Sequence, residues 1–210
     1  MQNVNGTVDV QGWDRDTIEI HAVKTAKQKE SDLELVSIEV DARPGVVSVA
    51  TRYPQNEGVE VVVEYTVRVP HCAHVDHLGT VNGTLRVSGV ERVQDLRTVN
   101  GNIEVYGADS TVHARTTNGN VRLELSHVHG VAGTIAETTN GSVILALPAD
   151  SQADLEARCL NGNFLSELPM AMQGSLKPRE MRGKLGQGGV PIKLHTINGG
   201  IRVVALRTTV

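Results

Sequence analysis

Aligned on its recurring Asn-Gly pairs, the chain repeats one order of apolar and polar positions. Two residues before each Asn stand Thr80, Thr98, Thr116, Thr138, Cys159 and Thr196, and four before stand Leu78, Leu96, Ala114, Ala136, Ala157 and Leu194. Three residues after the Asn come Leu85, Ile103, Val121, Val143, Phe164 and Ile201. Five after come Val87, Val105, Leu123, Leu145 and Val203, with Ser166 as the one polar exception. A period of two puts these files on one buried face of successive strands. Arg86, Glu104 and Arg122, which lie between them, then face water. The pairs themselves are Asn82-Gly83, Asn100-Gly101, Asn118-Gly119, Asn140-Gly141, Asn161-Gly162 and Asn198-Gly199, at intervals of 18, 18, 22, 21 and 37 residues.

Two all-β architectures fit. Asn-Gly is a strong hairpin signal, which would give an antiparallel meander with tight turns. The other is a single-stranded β-solenoid of roughly 18–22 residues per coil, in which equivalent residues stack in columns. The solenoid is favoured on three grounds. The unit divides into three sides of about six residues, and length variation is concentrated in the third. Stacking would alternate Arg86, Glu104 and Arg122, and likewise Arg115, Glu137 and Arg158, whereas the hairpin register sets Arg115 opposite Arg122. Stacking also sets Arg97 beside Arg115, so the charges do not all agree. Finally, Asn repeated at one corner can form a side-chain amide ladder, with Gly supplying the positive φ the corner needs.

The whole chain, 1–210, reads as one elongated β-repeat domain. An irregular, wider or antiparallel part covers 1–77 and a regular array 78–206, with an insert at 169–193. In the first part, strands are expected at Thr7–Val10, Thr17–Val23, Leu33–Asp41, Val46–Arg52 and Val59–Val69, with the run Lys24–Ser31 as a solvated loop. Asn5-Gly6 already has the form of a corner. The insert, rich in Gly and Pro, is expected to be irregular.

Composition narrows the function. Only five residues are aromatic and the net charge is −4, which gives nucleic-acid binding no support. Apolar runs are too short to span a membrane, and the start MQNVNGTVDVQG lacks the basic-then-apolar form of a signal peptide. Cys72 and Cys159 should lie several coils apart, too far for a disulfide. Cys159 replaces an inward Thr and reads as a small buried side chain. Trp13 reads as a partial cap on the first coil.

Candidate chemistry is sparse. His71, His74 and His77, beside Cys72 and Asp76, are zinc-type ligands without a recognised zinc spacing, and a solvated strand entry is the commoner reading. His127 and His129 would share one strand face. Glu91, Asp109 and His127 on the third side could serve a polysaccharide-active enzyme, although solvated acids look the same. No cofactor is expected. Lys177, Arg179, Arg182 and Lys184 in the insert are the first choice for contact with an acidic polymer or another partner.

The segments TVNGTLRVSG, TVNGNIEVYG, TTNGNVRLEL, TTNGSVILAL and TINGGIRVVA, preceded by the strand and proline of VEYTVRVPHCAHV, resemble the bacterial "putative adhesin" domain of unknown function (4097 type). That resemblance implies a β-helix-like protein of the cell surface or envelope, exported from the cytoplasm, without catalytic residues. It favours a non-enzymatic scaffold presenting loops for binding. A bactofilin-like scaffold that self-associates end to end through unpaired edges is the alternative, and a polysaccharide-active β-helix enzyme stands third.

Overall fold

The computed structural model describes residues 1–54, 58–109, 111–128, 133–172 and 179–206. In chain order the elements are β1 (Val8–Trp13), β2 (Glu19–Ala26), α1 (Asp32–Leu35), β3 (Ser37–Arg43), β4 (Val46–Arg52), β5 (Val61–Pro70) and β6 (His74–Gly79). The array follows with β7 (Leu85–Ser88), β8 (Arg92–Arg97), β9 (Ile103–Ala108), β10 (His113–Asn118), β11 (Val121–Leu125), β12 (Thr134–Asn140) and β13 (Val143–Leu147). It closes with β14 (Ala153–Asn161), β15 (Phe164–Ser166), β16 (Met170–Met172), β17 (Glu180–Leu185), β18 (Val190–Asn198) and β19 (Ile201–Ala205).

Strands on either side of each Asn-Gly corner belong to two different sheets. The nine-stranded sheet runs β15-β19-β13-β11-β9-β7-β1-β5-β2, and the eight-stranded sheet runs β16-β17-β14-β18-β12-β10-β8-β6. Pairing within the repeat array is parallel, as in Leu85↔Ile103, Ile103↔Val121 and Val121↔Val143. Parallel neighbours cannot be joined by a two-residue hairpin, so the meander alternative is excluded. The fold is all-β and solenoid-like. Antiparallel pairing is confined to the two ends: β2 on β5 and β3 on β4 at one, β17 on β14 and β16 on β17 at the other. Residues 33–35, expected to open a strand, instead belong to the short α1.

The core is the interior between the sheets, and its lining is the set of files read from the sequence, except that Phe164 is only half-buried. Leu85, Ile103, Val121, Val143 and Ile201 are fully buried, as are Leu96, Ala114 and Ala136. Each corner explains its own residue types. The inward Thr hydroxyl donates to the carbonyl of the corner glycine on the neighbouring coil: Thr98 to Gly83 at 3.1 Å, Thr116 to Gly101 at 2.9 Å, Thr138 to Gly119 at 2.8 Å and Thr196 to Gly141 at 2.8 Å. Cys159 makes the same contact with Gly199 through its Sγ. A Cβ on Gly119 would sit 2.0 Å from the carbonyl oxygen of Gly101, and one on Gly101 2.0 Å from that of Gly83. Close approach of one coil to the next is thus what the corners share. A left-handed φ is a property of some of them, such as Gly119 at 152°, and not of Gly83 or Gly101.

The Asn side chains form the expected ladder. Each amide nitrogen donates to the amide oxygen of its neighbour at 2.8 Å, in the spatial order Asn5, Asn82, Asn100, Asn118, Asn140, Asn198, Asn161. That order corrects the expectation that coils stack in chain order. The last coil is inserted: β18 lies between β12 and β14, and β19 between β13 and β15. Arg158 therefore stands beside His195 rather than Glu137.

The insert is also more regular than expected. Its described part forms β16 and β17, which extend the eight-stranded sheet beyond β14. Gly183 is there because Met170 packs on it, where a Cβ would lie 2.6 Å from the Met170 Cγ.

Candidate functional site

The three histidines of the strand entry do not converge. Each binds the residue 18 positions further on, one coil away: the His71 ring meets the Gly89 carbonyl, Arg92 donates to the His74 Nε2 at 2.6 Å, and His77 Nδ1 lies 2.9 Å from an Asp95 oxygen. The sequence period has turned an apparent ligand cluster into separate ties between coils. Among the described residues no group of three or more His, Cys, Asp or Glu side chains could hold a metal ion. His127 repeats the pattern, its Nδ1 lying 2.9 Å from a carboxylate oxygen of the third-side Asp109. His129 lies outside the described residues.

Two cations of the basic insert are held in ion pairs. Arg182 lies 2.8 Å from Glu180 and 3.6 Å from Glu156, and Lys184 is 4.0 Å from Asp154. Arg179 is exposed at the start of this stretch, and Lys177 lies outside the described residues. Cys72 is exposed and Cys159 buried, and both are free thiols. Burial raises the Cys159 pKa. The Trp13 ring is flanked by the guanidinium groups of Arg15 and Arg68, at 4.9 and 5.9 Å from the centroid.

A site missed in the sequence lies on the outer face of the nine-stranded sheet, next to the Asn corner. Here a groove of about 1310 Å³ runs across the strands from Asn102 to Asn163. Two outward columns line it. Along the corner, Asn102 accepts a hydrogen bond from the Asn120 backbone N–H at 2.9 Å, and Asn120 accepts one from that of Ser142 at 2.8 Å. Their oxygens are spent on the neighbouring coil, while their amide nitrogens have no protein partner among the described residues. The second column is Glu104, Arg122, Ile144, Arg202 and Leu165, in register across β9, β11, β13, β19 and β15.

Charges in this column are unequally matched. Glu104 binds Arg86 at 3.0 Å, and Arg122 turns along its own strand to Glu124. These contacts raise the pKa of both guanidinium groups, the hydrogen bond to the carboxylate being the largest cause. Arg202 has Ile144 and Leu165 as column neighbours and no ion-pair partner among the described residues. The groove thus offers two amide donors, on Asn102 and Asn120, one strand spacing of about 4.8 Å apart, one unmatched guanidinium, and apolar shoulders from Ile144, Phe164 and Leu165. Among the described residues that line it there is neither a nucleophile–base pair nor two facing carboxylates. Chemically it can hold an extended, acceptor-rich, negatively charged chain. The sequence signal was present in the outward Asn102 and Asn120, but the pairing of Arg202 with apolar neighbours depends on the inserted coil.

The Toastrack DUF4097 family model matches residues 1–204. Among solved structures, the chain is similar to one described as a "putative cell adhesion protein" from Clostridium sporogenes ATCC 15579. Their identity is 10%, the TM-score is 0.50, and the match covers 98% of this chain and 92% of that one, a likeness of fold alone. No curated protein matches the chain. Among the described residues no helix is long and apolar enough to cross a membrane.

Proposed function

We propose that this chain, which belongs to the Toastrack DUF4097 family, is a non-enzymatic, adhesin-like protein of the cell surface or envelope. Its ligand is an extended acidic glycan laid along the groove of the nine-stranded sheet. The observation that carries this reading is the groove's row of unmatched donors, Asn102, Asn120 and Arg202. A polymer with acceptors and carboxylates along its length meets such a row at several points at once. The five strands that line the groove span about 19 Å at a spacing of about 4.8 Å, enough for several sugar units. Arg182 and Lys184 of the insert, paired with Glu156, Glu180 and Asp154, are weaker candidates for the contact.

The test titrates the purified chain with soluble polyuronates and with neutral dextran, by calorimetry at low and moderate salt. Binding to the polyuronate alone is expected, weakened by salt. Arg202→Ala should lower the affinity about tenfold or more, as loss of a charge-assisted hydrogen bond does. Arg182→Ala with Lys184→Ala should leave it within about twofold. Binding lost with the insert pair and kept in Arg202→Ala moves the site to the insert. Absence of binding to any acidic glycan overturns the reading.

A further inference from the structure

The inserted coil carries an inference independent of ligand binding. We propose that residues 190–206 are exchangeable, and that two copies of this chain form a dimer in which each fills the other's slot between β12–β13 and β14–β15.

The slot arises because the chain skips a level. From Leu147 it passes through a short turn to Ala153, leaving space for one strand between β12 and β14, and β18 later fills it. Both walls present the same corner grammar in one register. Leu194, Thr196 and Asn198 meet Ala136, Thr138 and Asn140 on one side and Ala157, Cys159 and Asn161 on the other. Those contacts are the same whether β18 comes from the same chain or from another. The slot is also the last to be filled in chain order, since 134–147 and 153–166 precede 190–206. Until then both walls expose unpaired strand edges, which template pairing with a second chain.

The tether makes exchange cheap. β17 and β18 flank opposite sides of β14, with Leu185 and Val190 both in register with Ala153. The connection 186–189 therefore arches over the start of β14. It contains Gly186, Gly188 and Gly189 at φ of 56°, 80° and 146°, held by the Gln152 and Asp154 side chains through the Gln187 and Gly189 N–H groups. Extended, four residues span at most about 14 Å. Straightening the arch carries β18 and β19 away while β17 stays on β14. Exchange of an identical element keeps every contact outside the hinge, so concentration against local tethering decides the state.

The test uses the full chain with Cys72→Ser and Cys159→Thr, carrying Glu137→Cys and His195→Cys on the facing positions of β12 and β18. Protein is held near its denaturation midpoint over a range of concentrations, returned to native buffer, fractionated by size and joined with a short bis-maleimide. A dimer fraction is expected whose ratio to monomer rises about tenfold for a tenfold rise in free monomer, by mass action. On a denaturing gel it should run as two joined chains, and the monomer fraction as one. Absence of dimer at every concentration, or dimers whose cross-link stays within single chains, overturns the proposal. A second variant keeps the idea falsifiable if the cysteine pair folds poorly. Deletion of Gly188 and Gly189 leaves too little chain to arch over β14, so it should yield a dimer throughout, and a folded monomer refutes the exchange.

Discussion

Replacing Thr116 by Val isolates the bond that ties one coil to the next. Thr116 is buried, and its hydroxyl donates to the Gly101 carbonyl at 2.9 Å. Val has nearly the same shape without the donor. The bond lies at a part-buried corner. Leaving such an acceptor unmade costs about 1–3 kcal/mol. The added methyl returns at most about 0.8 kcal/mol of apolar burial. The expected net loss is about 1–2 kcal/mol, roughly a 5- to 30-fold change in the unfolding constant. Urea denaturation followed by far-ultraviolet circular dichroism reads it as a lower midpoint with an unchanged slope. The exposed neighbour Thr117→Val is the control, and it should fall within about 0.5 kcal/mol of the parent. If Thr116→Val matched or exceeded the parent in stability, the hydroxyl-to-glycine tie would not be what selects Thr at these corners.

Gly119→Ala should be worse than Thr116→Val, because its Cβ would lie 2.0 Å from the Gly101 carbonyl oxygen and the coils would have to part; thermal unfolding should show the larger drop in midpoint. Asp95 gives a pH test. Although burial works to raise its pKa, hydrogen bonds and charge from Arg97 and His77 hold the carboxyl below the usual carboxylate range. A depressed folded pKa adds stability that is present above the unfolded value of about 3.9 and lost as pH falls through the folded one. Asp95→Asn should therefore flatten the acid limb of the stability profile below about pH 4, and an unchanged limb in paired titrations would show that the carboxylate carries none of it.

Much of the fold was legible because a short grammar specifies each corner. Thr at minus two, Asn and Gly each meet the same atom on the neighbouring coil, so their spacing in sequence gives their register in space. The order of coils was not legible, and the reason is the same grammar. The TINGGIRV corner fits beside TTNGSVIL or CLNGNFLS equally well, so nothing local tells the coil at Asn198 that it must enter between those at Asn140 and Asn161. Only the insert distinguishes that case, and its composition pointed the wrong way. The glycines at 186, 188 and 189 mark a tight arch, while Met181 and Leu185 alternate inward on a true strand, with Leu185 almost fully buried.

The candidate site was hidden for a related reason. Groove chemistry comes from residues one coil apart, and Arg202 lies beside Ile144 and Leu165 only because its coil is inserted. Stacked in chain order, Leu165 would follow Ile144 directly and Arg202 would close the column at its far end. The histidines illustrate the converse. His71, His74 and His77 look like ligands when read along the chain, but the 18-residue period gives each its own partner on the next coil. In a stacked fold the unit of chemistry is the column rather than the segment. A motif dense in sequence is therefore divided among columns, and a site on the surface is assembled from residues that no segment contains together. The proposed acidic-glycan site and the proposed exchange of the last coil both rest on that geometry. They part at Arg202: a dimer that exchanged 190–206 would still place it in the same column, but on a groove shared by two chains.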